Sequence, residues 1–369
     1  MNEKININWY RCKVDKAVMG ALMRRSDARG FAQVIPQLLL FAATGTSAYL
    51  AYLNLHASNW PWALPLLLLA LFLHGTFAAF FGGCACHELC HKTPFRSPVW
   101  NDLFLRVYAF LAWFDPVGYR VSHVKHHQVT VHSDHDGEVV LPQFLDWHGV
   151  RFILLALSCN PINFFHLVQN WVEAARGTIK RDGFFKAKWL NRILPESNAE
   201  LRREHRNWAR IVLFGHLTLA VLFVVTGHWF FILIVTFGCQ YCGWLAMLCG
   251  APQHVGLSPN VSDFRLCTRT YTCSWFPGFL YWNMQYHVEH HMFPAVPFYN
   301  LPRLRREIEH DLPPAPHGLW ATWKELIPIM KRQRVDKGYV FVPVLPGCEG
   351  ERVDDGLIEA EAAQSGTRL

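Results

Sequence analysis

The sequence is short of charge, and the shortage is concentrated in two places. Only 17% of its 369 residues are Asp, Glu, Lys or Arg, against about 25% in ordinary soluble domains. From Phe31 to His87 none of these four types occurs across 57 positions, and from Ile211 to Ser262 none occurs across 52. A bilayer core takes about 20 apolar residues per helix, so each run has room for two crossings joined by a tight turn. A soluble globular chain is excluded, and an integral membrane protein is expected. Residues 1–30 hold no apolar core of the sort a cleavable signal peptide needs, so the first membrane helix is expected to act as an uncleaved insertion signal. No internal repeat is apparent beyond the two-span hairpin occurring twice.

The formal charge of +7 invites a nucleic-acid reading, but the placement of the cations argues against it. Of the 35 Lys and Arg residues, 7 lie in 1–30, 16 in 84–210 and 12 beyond 263. Neither uncharged run holds one, even at the expected turns near His56–Pro61 and Gly227–His228. Loops rich in Lys and Arg stay cytoplasmic, which puts both termini and the middle segment on the cytoplasmic side and leaves no nucleic-acid surface to explain. The membrane would be the inner membrane if the source is bacterial, the endoplasmic reticulum if eukaryotic. The 11 cysteines are odd in number, and Cys239, Cys242 and Cys249 fall in expected membrane helices, so free thiols in a reducing compartment are expected. Cys84 and Cys86 are separated by one residue rather than the two of a haem-attachment string.

The pattern predicts an all-α protein with four transmembrane helices in two hairpins, near 33–55, 62–83, 209–226 and 229–250, beneath a cytoplasmic helical cap. Residues 1–32 form a cytoplasmic lead-in, with Arg24, Arg25 and Arg29 at the membrane edge. Residues 33–311 form the membrane domain. Residues 312–346 form a cytoplasmic or interfacial segment whose stretch 319–330 is an interfacial helix, and 347–369 are polar enough to be disordered. Residues 99–114 carry Asp102 and Arg106, too charged for a span, and read as a helix at the interface or packed under the site. Residues 150–172 are apolar but interrupted. A single crossing there would move the basic residues of 173–208 outside, so an interfacial or re-entrant helix is favoured. A further helix is expected over 302–311.

Histidine is what the sequence has in pattern. HELCH carries His87 and His91, HVKHH carries His123, His126 and His127, and HVEHH carries His287, His290 and His291; His254 stands alone after the fourth expected span. Nine of 20 histidines thus fall in short, regular spacings or beside them. Positions i, i+3 and i+4 share a helix face, and imidazole is the commonest metal ligand. Nine nitrogens exceed the need of one ion and fit two ions with four or five each. Imidazole suits zinc, copper, nickel and iron alike. The setting beside acyl chains favours iron, because unactivated C–H bonds yield to redox chemistry with dioxygen and zinc has none.

In this order around two membrane hairpins, HELCH, HVKHH and NMQYHVEHHMFP resemble the three histidine boxes of the membrane fatty acid desaturase/hydroxylase superfamily. The third box is especially like that of acyl-lipid desaturases, whereas HELCHK is also similar to the first box of membrane alkane hydroxylases. The resemblance covers most of 35–310. It implies a non-haem di-iron centre, O2 as co-substrate, and electrons from an external ferredoxin, rubredoxin or cytochrome b5-type carrier. The substrate it implies is a membrane lipid or fatty acid. The implied ligands are His87, His91, His123, His126, His127, His287, His290 and His291, with His254 added by position. No rubredoxin-like CxxC pair and no cytochrome-b5-like HPGG accompany them. Desaturation is favoured by the third box, hydroxylation comes next, and oxidative decarboxylation of a fatty acid to an alkene third.

Other residues admit two readings. Glu88, Asn283 and Glu289 are candidates for hydrogen bonding to ligand rings, as are Asp134, Asp136, His132 and His135, with a solvated loop as the alternative. His74, His216 and His228 are expected to be hydrogen-bonded packing residues. Trp275, Phe276, Phe279, Tyr281 and Trp282 could wall a substrate tunnel or anchor at the interface. The basic residues Arg176, Lys180, Arg181, Lys186, Lys188, Arg192, Arg202 and Arg203 could dock an acidic carrier or simply hold topology. HELCH is also HExxH, in which a zinc protease uses Glu88 as general base; that rival leaves six imidazoles without a task.

Overall fold

The computed structural model describes residues 7–138 and 161–347, with side chains from 164 onward in the second stretch. Among the described residues it is all helix, with no strand and two isolated bridges, Tyr10 with Asp263 and Thr272 with His317. The expected tail from 348 and residues 150–160 lie outside the described residues.

Three helices are long and apolar enough to cross a membrane: Asp27–Leu53, the continuous helical stretch Trp60–Cys90, and Ala199–Val225. The first starts where the Ser26 hydroxyl accepts from Arg29 N at 3.4 Å, a side-chain cap on a helix end whose amides lack partners. The turn to the second is tied by Asn59, whose Oδ1 accepts from His56 N and whose Nδ2 donates to Asn54 O. Large apolar side chains on all three helices face outward, among them Leu39, Leu68 and Phe214. In water such a surface would drive association; in lipid it is the ordinary solvent face.

The second long helix is not uniform. Residues Phe81–Cys86 form a π-helical segment containing Gly82 and Gly83, immediately before His87–Cys90. A wider turn of this kind rotates the residues beyond it about the helix axis, and here those residues are HELCH.

The expected fourth span, 229–250, is not one helix. It breaks into a π-helical turn Ile232–Thr236, a 3-10 turn Gly238–Gln240, an extended Tyr241, a left-handed Cys242 at φ 56°, and a helix Trp244–Gly250. Backbone released from helical pairing in an apolar setting must find partners within the protein, and here several carbonyls do. His74 Nε2 contacts Ile234 O at 3.1 Å, Trp113 Nε1 donates to Thr236 O at 2.9 Å, and the Tyr241 hydroxyl donates to Leu233 O at 3.3 Å. Tyr241 packs so closely on the second long helix that a Cβ on Gly75 would run into its ring. Hydropathy registers the composition of this stretch and not the break.

Shorter helices carry the second and third boxes and their surroundings. Pro98–Leu111 forms the helix expected near 99–114, and its Tyr108 is fully buried beneath Phe81 and Trp282. Pro116–Gln128 carries the second box and His287–Met292 the third. The helix Leu301–Ile308 continues as a 3-10 turn to Asp311, and Gly318–Val335 contains the stretch 319–330.

Candidate metal centre

The first box ends the long stretch Trp60–Cys90, and the second and third arrive on short helices of their own. Asp115 caps Pro116–Gln128 by accepting from Val117 N and Gly118 N at 3.1 Å, and Pro116 occupies the first turn. This fixes the rotation that points His123, His126 and His127 inward. The third box comes after a turn in which Trp282 and Asn283 take positive φ of 53° and 54°. Trp282 is held there by Nε1 donating to Gln37 Oε1 at 2.9 Å. Glu289 then braces the helix from behind: one oxygen takes Thr270 Oγ1 at 2.5 Å and the other takes Arg305 Nη1 at 2.7 Å.

The nine histidines come together as a five and a four. His87, His91, His123, His127 and His290 form one group, and His126, His254, His287 and His291 the other, each with donor atoms within 4.8 Å of one another. In the five, Nε2 atoms face each other at 2.8 Å (His87–His290) and 3.0 Å (His91–His123 and His123–His127). In the four, His287 Nε2 lies 2.9 Å from His254 and 3.1 Å from His291. Ligands at right angles on a metal–nitrogen bond of roughly 2.1 Å stand about 3.0 Å apart. The spacing is therefore that of an ion's coordination edges.

The far nitrogens explain why the Nε2 atoms face inward. His123 Nδ1 is 2.7 Å from Glu138 Oε1, and His126 Nδ1 is 2.7 Å from Asp136 Oδ2. His254 Nδ1 is 2.9 Å from Cys267 O, and His291 Nδ1 is 3.1 Å from Thr130 Oγ1, whose hydroxyl is donated to His126 O. An acceptor at Nδ1 takes that ring's N–H and leaves the Nε2 lone pair for the centre. His87 Nδ1 lies 3.0 Å from the Tyr119 hydroxyl.

Electrostatics point the same way. Burial, then the neighbouring rings, push His91, His127, His287, His290 and His291 well below the usual histidine range. His254 falls to about 3 through burial and then His126. These rings are neutral at pH 7, as ligands must be. His126 is raised: burial opposes its charge, but the Asp136 carboxylate beside it prevails. Asp136 and Glu138 are held below the carboxylate range against the effect of burial by His126 and His123 respectively.

The candidates flanking the boxes fare differently. Glu88 does not form the expected hydrogen bond to a ring: it stands 3.6 Å from His290 Nδ1. Both its oxygens and His290 Nδ1 are buried with no hydrogen-bond partner among the described residues. Glu289 pairs with Arg305 rather than with a ring. Asn283 donates to Phe298 O at 3.3 Å and accepts from Gln285, a turn-closing role. Asp136 does reach a ring, whereas Asp134 takes a left-handed turn position at φ 65°. His132 Nδ1 contacts Thr130 O at 3.0 Å. His74, His216 and His228 contact Thr44, Phe110 O and Tyr49 respectively, away from both groups. Sequence reasoning missed Glu138, Tyr119, Thr130 and the Cys267 carbonyl. Only Glu138 left a trace, as the third acid of the DHDGE stretch after the second box.

A cavity of about 310 Å³ lies beside the five-histidine group, where Tyr119, Gly82, Gly83, Trp113, Phe114 and Leu167 help to line it, with Lys180 and Arg181 among its charged residues. Its size is that of a small-molecule site (~300–1,000 Å³). None of Trp275, Phe276, Phe279, Tyr281 and Trp282 lines it; Trp275 is 78% exposed while Tyr281 and Trp282 are buried in the core.

Long apolar helices together with two buried histidine groups fit a membrane protein with a metal site. Residues 58–323 match the family model for fatty acid desaturase, and the chain belongs to that family, which makes it an oxidoreductase of lipid substrates. No curated relative matches it.

Proposed function

We propose that the two histidine groups hold two iron ions and that the chain carries out O2-dependent oxidation of a fatty acyl or lipid-like chain, with desaturation as the favoured outcome. His87, His91, His123, His127 and His290 would hold one ion, and His126, His254, His287 and His291 the other. The observation that carries this reading is the meeting of nine imidazoles from four separate segments, at coordination-edge spacing, in a chain of the desaturase family. A protease zinc needs about three protein ligands and an open water position. Both histidines of HELCH instead share a five-nitrogen group, which disfavours the HExxH alternative.

Two bound irons would supply, with O2 and external electrons, the redox chemistry needed to remove hydrogen from an unactivated methylene. The protein's own residues do the rest. Glu138, Asp136, Thr130 and the Cys267 carbonyl hold four rings in the tautomer that aims Nε2 inward. Tyr119 links the five-nitrogen group to the wall of the adjacent cavity, so a chain lying against that wall is held next to the centre. Gly82 and Gly83 line the cavity at the end of the second long helix, where lipid chains are at hand. The chain would cross the membrane four times, the broken 229–250 segment forming the last crossing, with termini and centre in the cytoplasm.

The test is metal analysis of the purified protein combined with lipid and hydrocarbon profiling of expressing cells. A new double bond, absent when His287→Ala is expressed at equal level, supports the assignment. A new alcohol or a 1-alkene would move the same centre to hydroxylation or decarboxylation. Absence of any lipid change with an iron-loaded protein would remove it.

A further inference from the structure

The N-terminal segment, unassigned by the reading above, converges on one ligand ring from two directions. Arg11, Lys13 and Lys16 are exposed and, with Val14, Met19 and Phe293, line an open concavity of about 690 Å³ in which no acidic side chain takes part among the described residues. Phe293 and Met292 directly follow His291 in the chain, and Met292 Sδ lies 3.6 Å from Cys12 Sγ. From the other direction, half-buried Trp9 stacks on Phe264 with centroids 4.0 Å apart and planes 8° from parallel. Phe264 in turn lies 5.5 Å from the His291 ring. Trp9 is pinned by Nε1 donating to Gln128 O at 2.9 Å. The concavity thus abuts Met292, the residue after His291, and Trp9, two residues before Arg11 in the chain, reaches the His291 ring through Phe264.

We propose that this face docks an acidic one-electron carrier protein in its reduced form, and that Trp9 and Phe264 form the contact path to His291. The proposal rests on the centre being a redox metal site. Three cations around an apolar floor attract an acidic surface from a distance and still allow a desolvated contact in the middle. Electron transfer weakens steeply across gaps, and rings in successive contact leave few. Each docking oxidises one carrier by one electron and reduces the centre by one. Two dockings supply the pair that, with O2 and two protons, balances removal of two hydrogens from the chain and release of two waters. The basic face 176–203 is the weaker site because its charge is partly spent: Arg181 pairs with Glu173 at 2.8 Å and Arg203 with Glu200 at 3.7 Å.

The test uses the full-length, iron-loaded chain in nanodiscs and a purified, acidic [2Fe–2S] ferredoxin as probe. Reversing the charge of Arg11, Lys13 and Lys16 to Glu together is expected to slow bimolecular reduction by about tenfold or more at low salt and to flatten its salt dependence. Reduction by dithionite should be unchanged. Trp9→Leu is expected to keep the binding constant and slow reduction within the complex. Wild-type rates in both variants would overturn the proposal, as would an equal loss on reversing Lys186, Lys188 and Arg192. Carrier binding to the metal-stripped chain is measured separately. If the triple reversal weakens it while no lipid product ever forms, docking stands and the oxygenase reading fails. If product forms and the reversal changes neither binding nor rate, docking alone fails.

Discussion

Glu138 Oε1 lies 2.7 Å from His123 Nδ1 while its other oxygen accepts from Ser122 Oγ at 2.9 Å. A carboxylate outside every histidine box thus decides which nitrogen of a boxed ring faces the centre. Removing such a partner typically costs 10–100-fold in metal affinity or activity. Glu138→Ala should therefore lower iron affinity by about 10–100-fold with helix content by circular dichroism unchanged. Unchanged affinity in a competitive chelator titration would sink the role given to Glu138.

His254 has no box, yet its Nε2 lies 2.9 Å from that of His287. His254→Ala should cost about one of two irons, leaving the five-nitrogen group loaded. His228→Ala, where the ring contacts Tyr49 at 2.7 Å on the far side of the fold, should leave iron content as it is. Equal metal content in the two variants would remove His254 from the ligand set.

The metal-stripped protein should lose stability on mild acidification. Six rings outside the spans (His91, His127, His254, His287, His290 and His291) have folded pKa values below the usual 6.5. Folded, they bind fewer protons than the unfolded chain does once the pH drops below that value, so stability is held above about pH 6.5 and falls beneath it. His126, raised by Asp136, runs the opposite way: its contribution is full below the usual value and is lost as pH rises through its folded pKa. One ring does not offset six. The Tm of stripped protein should decline from pH 7 to pH 5, and a flat or rising Tm would contradict the neutral state assigned to these rings.

The third box depends on an ion pair behind it. Arg305 and Glu289 are 8% and 0% exposed and 2.7 Å apart. Arg305→Met would strand a buried carboxylate at a cost of about 3–5 kcal/mol. The variant should show a lowered Tm and weaker iron retention, and Glu289→Gln in the same background should recover part of both. A Tm equal to wild type would mean that the pair does not brace the helix.

The histidine boxes were legible because helical spacing and chemistry coincide: two to three rings per turn or two have few other uses. The long apolar runs were legible as membrane helices for a similar reason, since composition alone decides partition into lipid. The break in 229–250 was not, because it depends on partners such as His74 and Trp113 that come from other helices. The π-helical turn before HELCH is hidden likewise, although Gly82 and Gly83 mark where it forms. Glu88 and Glu289 illustrate the limit from the other side. Adjacent to ligands in sequence, Glu88 stops 3.6 Å short of His290 Nδ1 and Glu289 turns to Arg305, while Glu138 and Cys267, eleven or more residues from the nearest box ligand or lone candidate, supply the contacts.

The most direct measurement is iron stoichiometry of the full-length protein in wild type, His123→Ala and His287→Ala, read by elemental analysis. If each histidine group binds its own ion, wild type holds about two irons per chain and each variant about one, since losing a ligand opens one site and spares the other. A single zinc per chain, unaffected by His287→Ala, would contradict the account.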